Sequence, residues 1–344
     1  MYALRGNARR PSRRALGQAS GERTLTGDSP RECLGLIGTV PAFYGSRMDS
    51  RPRLLLSIDF EDWHQLVHRR LGHIDWDRPR AEFPRHVHAL LDLLDELDAR
   101  ATFFLLGMTV ANYPELVAEV VARGHEPASH GYAHDRVHDR TREAFHADVE
   151  RSIEAIDDAT GRPPSAYRAP AFSINRRTPW AYDVLAGLGL TIDSSQYDSP
   201  RIPDRLGAIP DAPYRLRTQE GSELWEYPVA TWGPLPIGGG GYWRLLPAQA
   251  MRRGLEEFDV LYFHPYEFAT EPLRAELPPG ATARQRLVAG SRSAWRNTGR
   301  DRVARRLREV ARTHRLVSYD QVRDDIARHY GARSRALSQE GVLV

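Results

Sequence analysis

Short apolar runs alternate with amphipathic segments along most of this chain, and this alternation limits the folds it can adopt. The first run, at residues 54–58, is followed by acidic residues at Asp59, Glu61 and Asp62. Such a pattern is expected of a buried parallel strand that carries carboxylates at its carboxyl end. About seven such strand–helix units in about 290 residues favour an α/β fold, a distorted or incomplete (β/α) barrel.

Other strands and helices follow from the same periodicity. Strands are predicted near residues 101–106, 127–130, 167–168, 190–193, 224–229, 260–264 and 316–318, and helices over 87–97, 114–121, 145–156 and 303–310, the last of them in the chain. In a barrel of this kind, chemistry collects at the carboxyl ends of the strands. The polar residues of interest stand at those ends: Asp59, His130, Arg168, Asp193 and His264.

Residues 1–50 differ in character from the rest of the chain. The first 47 residues contain eight arginines and three acidic residues, and they show no sustained periodicity. This composition predicts a disordered leader. The alternative is that translation starts at Met48, a few residues before the first predicted strand. No convincing signal peptide is recognisable, so we expect a cytoplasmic protein.

Composition excludes several kinds of chemistry. All 48 basic residues are arginine, which rules out Schiff-base, P-loop and kinase-type lysines. The single cysteine, Cys33, permits neither an intrachain disulfide nor a cysteine-based zinc cluster. No run of about 20 apolar residues is present, so no transmembrane segment is expected. The formal net charge of +3 comes mainly from the leader, so the body is not expected to bind nucleic acid.

Two histidines give the sharpest local signal. His130 and His134 lie four residues apart after a predicted strand, and on a helical turn they would face the same way and chelate one metal ion. Two imidazoles commonly share a divalent metal with one carboxylate, which Asp59, Glu61 or Asp62 can supply. The sequence therefore predicts a divalent metal site, with Zn²⁺ the first choice.

Five segments then stand in a familiar order: residues 57–62, 129–134, 168–170, 193–195 and 261–264. This order resembles the five motifs of the polysaccharide deacetylases, the NodB-like family also called carbohydrate esterase family 4. The resemblance runs from about residue 53 to residue 268. The glycines at 238–241 and the segment His-Pro-Tyr-Glu at 264–267 are similar to a bacterial subgroup linked to exopolysaccharide production. That subgroup carries an extra C-terminal region.

The resemblance implies a role for each matched residue. It makes Asp59 the catalytic base, Arg168 the partner of that base, and His264 the general acid. It makes Asp193 the residue that orients His264, and His130 and His134 the metal ligands. The family usually has a second aspartate directly after the base, but position 60 is Phe in this chain. Glu61 and Asp62 both remain candidates for the third ligand; strand alternation places Glu61 on the same side as Asp59.

Substrate contacts are predicted from aromatic residues and one acid. Tyr242 and Trp243 follow four glycines, so they either form a mobile loop that stacks on sugar rings or pack as part of a connector. Trp225 and Glu267 are further candidates. The arginine-rich span 284–315 would either attract a polyanionic glycan or lipid pyrophosphate, or form the solvated face of a terminal helix.

The resemblance implies a metal-dependent hydrolase that removes N-acetyl groups from amino sugars in a polysaccharide or glycan precursor. The domains expected are the leader (1–50), the catalytic domain (51–270) and a C-terminal extension (271–335) whose amphipathic helix packs on the barrel. The alternatives are a hydrolase of a small cyclic amide, similar to allantoinases, and a non-catalytic glycan-binding relative.

Overall fold

The computed structural model describes residues 49–78, 80–199, 204–232, 235–249 and 254–344. The predicted leader and the alternative start at Met48 lie outside these residues. No helix in the described ranges combines the length and the apolar character needed to cross a membrane.

Ten strands and ten α-helices alternate along much of the described chain. The strands are β1 (Arg53–Phe60), β2 (Thr102–Leu105), β3 (Glu126–Ser129), β4 (Ala166–Tyr167), β5 (Ile192–Asp193), β6 (Tyr214–Arg217), β7 (Glu223–Glu226), β8 (Val260–Phe263), β9 (Arg315–Val317) and β10 (Ser334–Ala336). The helices are α1 (Trp63–Leu71), α2 (Phe83–Glu96), α3 (Gly107–Asn112), α4 (Pro114–Ala122), α5 (Arg142–Thr160), α6 (Trp180–Gly187), α7 (Gly240–Leu245), α8 (Ala283–Asn297), α9 (Arg302–Ala311) and α10 (Arg323–Tyr330).

The strands form one sheet in the order β10-β6-β7-β5-β4-β3-β2-β1-β8, and β9 pairs with the first residues of β1. All the pairings are parallel except the β6–β7 hairpin. Beyond β8 the sheet approaches its other side through single bridges, Val229 with Val260 and Gly239 with Tyr262. The predicted incomplete (β/α) barrel is therefore confirmed.

Strand β1 lies between β2 and β8, and its two faces have different environments. Its even-numbered residues, from Leu54 to Phe60, belong to a large apolar cluster that includes residues of α2, α4 and α9. Leu55 belongs to a second cluster, together with Phe104 of β2 and Val260 of β8. Because side chains alternate along a strand, Asp59 lies on the Leu55 face, and Phe60 turns toward the helices. There the Phe60 ring packs edge-on against Phe83, with 5.0 Å between centroids.

The C-terminal region contributes strands to the same sheet. The first of them, β9, pairs with β1, and β10 pairs with β6. The helix predicted as the last in the chain is α9, whose residues Val303, Leu307 and Val310 lie in the large cluster. That prediction was wrong about the end of the chain, because α10 and β10 follow. The domain boundary near residue 270 stays a prediction.

Glycines 238 and 239 serve close backbone packing instead of a free loop. The backbone N–H of Tyr262 donates to the carbonyl of Gly238 at 2.8 Å, and Gly239 forms the bridge to Tyr262. A Cβ atom at position 239 would overlap the carbonyl oxygen of Tyr262. The glycine run is therefore explained by the approach of two backbones.

We expect Gly239→Ala to destabilise the protein by about 1–3 kcal/mol, the usual cost of overpacking a closed site. Gly290, in α8, is the matched control, since nothing lies within 4 Å of an added Cβ there. Gly290→Ala should raise the free energy of unfolding by about 0.5–1 kcal/mol, because alanine favours a helix interior. Denaturant unfolding of both variants tests this, and equal effects would contradict it.

Candidate metal centre and active site

Three side chains converge beyond the carboxyl ends of β1 and β3. Glu61, His130 and His134 each offer one ligand atom, and these atoms lie within 4.8 Å of one another. Oε2 of Glu61 is 2.8 Å from Nε2 of His134 and 3.9 Å from Nε2 of His130. One carboxylate and two imidazoles are the donor set of an open catalytic zinc site.

Details of the three residues fit a bound divalent cation. Oε2 of Glu61 is buried without a well-aligned hydrogen bond, so it is available to a ligand. Nδ1 of His130 lies 2.8 Å from the carbonyl oxygen of Arg168, to which it donates, and this leaves the Nε2 lone pair for the centre. Burial lowers the pKa of His130, which favours the neutral, ligating imidazole. Burial alone would raise the pKa of Glu61, but His134 and His264 hold it well below its usual range.

The two histidines do not lie on a helix, contrary to the sequence prediction. They follow β3 in an irregular loop, in which Gly131 has φ +73° and His134 has φ +53°. Asp148 of α5 accepts hydrogen bonds from the backbone N–H groups of Tyr132 (2.8 Å) and Ala133 (3.1 Å). The two imidazoles therefore come together because Asp148 holds this loop, and not because they lie on one face of a helical turn.

Between the two candidates for the third ligand, the structure brings Glu61 to the histidines. Asp62 instead begins α1: its Oδ1 accepts from the backbone N–H of His64 at 2.9 Å. Its Oδ2 accepts from the backbone N–H of Arg80 at 2.6 Å. With both oxygens engaged in these bonds, the carboxylate of Asp62 caps a helix and ties down the loop before α2.

The base candidate, Asp59, forms a buried ion pair with Arg168. Nη1 of Arg168 donates to Oδ1 of Asp59 at 2.7 Å. The other guanidinium nitrogens donate to the carbonyl and hydroxyl of Ser194 and to the hydroxyl of Tyr319, at 2.9–3.1 Å. The Phe104 ring covers the guanidinium at 4.1 Å. Arg168 thus fixes one oxygen of Asp59 and leaves Oδ2 for other partners.

The acid candidate, His264, contacts Glu267 and not Asp193. Nδ1 of His264 lies 3.2 Å from Oε2 of Glu267, and Nε2 lies 3.3 Å from Glu61 and 4.0 Å from Oδ2 of Asp59. Burial opposes protonation, but the hydrogen bonds to Glu267 and Glu61 outweigh burial and raise the pKa of His264 to about 9. The prediction that Asp193 orients His264 was wrong, and so was the prediction that Glu267 binds substrate, because Glu267 is buried beneath the histidine.

Asp193 belongs to a separate pair of buried carboxyl groups. It accepts from the hydroxyl (2.7 Å) and backbone N–H (3.0 Å) of Ser195. Glu226 lies beside it on β7, the strand that pairs with β5. Burial, and then the charge of Asp193, hold the pKa of Glu226 well above its usual range.

The predicted aromatic contacts divide into two groups. Trp243 is fully buried, its Nε1 donates to the carbonyl of Ile237 at 2.6 Å, and its ring packs against Phe263. A role in stacking on sugars was therefore wrong for Trp243. Tyr242 is partly exposed, and Trp225 is partly buried beneath the guanidinium of Arg215. Substrate binding by these two residues stays a prediction.

Several supporting residues were missed from sequence. Glu267 carried a usable signal, since a glutamate three residues after a histidine in a tight turn can reach back to it. Ser194 stands next to a predicted site residue. Tyr319 and Asp148 lie far along the chain from the residues they support, and no local pattern identifies them.

Comparison with known proteins agrees with this arrangement. Residues 75–191 match the family model described as polysaccharide deacetylase, and residues 195–324 match a model described as a domain of unknown function, DUF3473. The first span contains His130, His134 and Arg168, and the second contains His264 and Glu267. Asp59 and Glu61 precede both spans.

Curated relatives match over parts of their length. A chitooligosaccharide deacetylase of Bradyrhizobium sp. is 38% identical over 98 residues, which cover 28% of this chain and 42% of that protein. Chitin deacetylase 1 of Saccharomyces cerevisiae is 34% identical over 101 residues, which cover 29% of this chain and 32% of that protein. The chain thus spans less than half the length of either relative.

A solved structure matches over most of the chain. A Mycobacterium smegmatis protein assigned to the polysaccharide deacetylases superposes with a TM-score of 0.55 at 22% identity, covering 83% of this chain and 93% of the other, which shows a shared fold. Fold, family match and sequence relatives together define a deacetylase-type (β/α) barrel. Residues 75–191 are thus a polysaccharide deacetylase domain by their family match, and the chain shares its fold with the Mycobacterium smegmatis protein.

The carboxyl pair predicts how stability depends on pH. The pKa of Glu226 is raised in the folded state. Its contribution to the free energy of unfolding is therefore complete below the unfolded pKa of about 4.3, and it is lost as pH rises through the folded pKa. Glu226→Gln has a side chain that is neutral at every pH, so it should lose less stability than the wild type as pH rises from about 4.3 upward. Thermal unfolding across that range measures this, and parallel curves for the two proteins would contradict it.

Proposed function

We propose that this protein uses a bound divalent metal, with Zn²⁺ the first choice, to hydrolyse the N-acetyl group of an amino sugar in a glycan, releasing acetate. One observation carries the proposal: a metal-type donor set lies beside both a paired carboxylate and a paired imidazole. Glu61, His130 and His134 provide the donor set. Asp59 with Arg168, and His264 with Glu267, provide the pairs.

Each part has a chemical task in amide hydrolysis. A metal held by Glu61, His130 and His134 would lower the pKa of a water molecule and polarise the acetyl carbonyl. Asp59 takes a proton from the attacking water through Oδ2, since Arg168 holds Oδ1. Arg168 keeps this carboxylate fixed in a buried setting that would otherwise disfavour its charge.

The leaving group sets the second task. An amide anion is too basic to leave, so the sugar nitrogen must receive a proton as the C–N bond breaks. Nε2 of His264 faces the centre, since Nδ1 is held by Glu267. The carboxylate of Glu267 raises the pKa of His264 and so favours the imidazolium that such a donor requires. Acetate and a free amine are the products, with one water consumed.

The direct test is acetate release from N-acetylglucosamine oligomers and from an N-acetylated exopolysaccharide. We expect release by the zinc-loaded protein, loss on chelation, and recovery when metal is restored. His134→Ala should lower release to the chelated level. His138→Ala is the matched control, since His138 is four residues further along the chain and its Nδ1 contacts the carbonyl of Ser173.

Failure has a clear form. A protein shown to contain one metal ion per chain that releases no acetate from any glycan contradicts the proposal, and small cyclic amides become the next substrates to test. Equal loss in His134→Ala and His138→Ala would show a general effect on folding and not removal of a ligand.

A second prediction concerns the partner of His264. Glu267→Gln removes the negative charge beside Nδ1 of His264. We therefore expect kcat to fall on the order of a hundredfold, within the range that general acid catalysis supplies. KM should change little, because Glu267 is buried beneath His264 and does not face substrate. Asp193→Asn is the control, because Asp193 bonds to Ser195 and not to His264. A normal kcat in Glu267→Gln would contradict this role of Glu267.

A further inference from the structure

A cleft of about 650 Å³ adjoins the metal centre at His134. Its walls come from α1, from the loop after His134 and from α8. Its volume is within the range of sites that bind small molecules or parts of larger ones. The cleft is strongly cationic, since its lining includes two aspartates, Asp135 and Asp139, and six arginines: Arg69, Arg70, Arg136, Arg140, Arg292 and Arg296.

Part of this charge is neutralised within the protein. Asp135 binds Arg69 at 2.6 Å and also pairs with Arg140. In the ranges that the structure describes, Arg70, Arg136, Arg292 and Arg296 have no carboxylate within ion-pair distance. Three of these four, Arg70, Arg292 and Arg296, come from helices α1 and α8, and the charges of Glu267 and Glu61 act on Arg296 from a longer distance.

The position of these three arginines connects them to the active site. Arg292 and Arg296 are four residues apart on α8, so they share one face of that helix. Arg70 lies across from them, and burial together with the charges of Arg70 and Arg296 lowers the pKa of Arg292. The guanidinium of Arg296 lies 5.2 Å from the ring centroid of Tyr266, close to His264 and Glu267. The cationic surface thus extends from the cleft toward the proposed acid.

Helix α8 is held in place by partly buried hydrogen bonds. Arg244 donates to the carbonyls of Trp295 (2.7 Å) and Arg296 (2.9 Å) at the end of the helix. Gln285 donates to the carbonyl of Leu71 in α1 at 2.7 Å. Arg292 and Arg296 are therefore held on a rigid element. This helix belongs to the span that matches the domain of unknown function.

Unpaired like charges held together cost free energy, and an oxyanion bound between them removes that cost. Guanidinium groups match carboxylate and phosphate oxygens in bidentate geometry. We propose that Arg70, Arg292 and Arg296 form a subsite for a carboxylate or phosphate carried by the same glycan whose N-acetyl group is hydrolysed. This inference rests on the proposed function and narrows its substrate to an anionic glycan.

The test compares three tetrasaccharides that all contain N-acetylglucosamine. One is neutral chitotetraose, one alternates with glucuronate, and one is chitotetraose 1-phosphate. Their binding to metal-loaded His264→Gln protein is measured by calorimetry, because loss of the general acid prevents turnover. KM on the wild-type protein gives an independent measure. The variants are Arg292→Gln and Arg296→Gln, with Arg286→Gln on another face of α8 as the matched control.

We expect an anionic tetrasaccharide to bind about tenfold or more tightly than the neutral one, as one or two charge-assisted hydrogen bonds would give. Arg292→Gln and Arg296→Gln should abolish this preference without changing the affinity for the neutral sugar, and Arg286→Gln should keep it. Preference for the glucuronate or the phosphate sugar identifies which anion the subsite takes. Equal affinity for all three sugars, or equal loss in Arg286→Gln, overturns the proposal.

The two proposals fail differently. If the anionic sugar binds selectively but no acetate is released by the wild-type protein, the subsite stands and the deacetylase proposal fails. If acetate is released from neutral and anionic sugars with the same KM, the deacetylase proposal stands and the subsite fails.

Discussion

The buried ion pair between Arg168 and Asp59 is the interaction on which the rest of the site depends. A guanidinium with no solvent contact costs several kcal/mol unless its charge and its donors are satisfied. Here Asp59, Ser194 and Tyr319 accept its hydrogen bonds. These partners come from β1, from the loop after β5 and from the segment after β9. The guanidinium therefore has all these partners only when the barrel strands and the C-terminal region are in place.

The alternation of β1 then determines what the remaining residues can do. Asp59 and Glu61 fall on the inner side, where Glu61 meets His130 and His134. Phe60 points to the helices and packs against Phe83, so position 60 contributes to the core and not to the site. This much was accessible from sequence, because strand alternation and the order of the five motifs are local properties of the chain. The same alternation favoured Glu61 over Asp62 before the helix cap at Asp62 was visible.

The parts that sequence did not predict depend on contacts between distant segments. The family resemblance pointed to Asp193 as the partner of His264. Only the three-dimensional structure shows that Glu267 lies beneath the imidazole. The spacing of His130 and His134 suggested a helix. They lie instead in a loop that Asp148 and the positive φ of Gly131 shape, and this loop also brings the two imidazoles together. Trp243 looked like a sugar platform because a glycine run precedes it. Those glycines allow contact with β8, and the contact carries Trp243 into the core.

The proposed function requires one metal ion held by Glu61, His130 and His134, with Asp59 and Asp62 outside its coordination. Anomalous X-ray diffraction at the zinc edge, from crystals of the zinc-loaded protein, measures this directly. We predict a single peak within ligand distance of Oε2 of Glu61 and of Nε2 of both histidines, at about 2.0–2.2 Å. A peak coordinated by Asp62 or Asp59 in place of Glu61, or no peak at these histidines in protein that contains stoichiometric zinc, would contradict it.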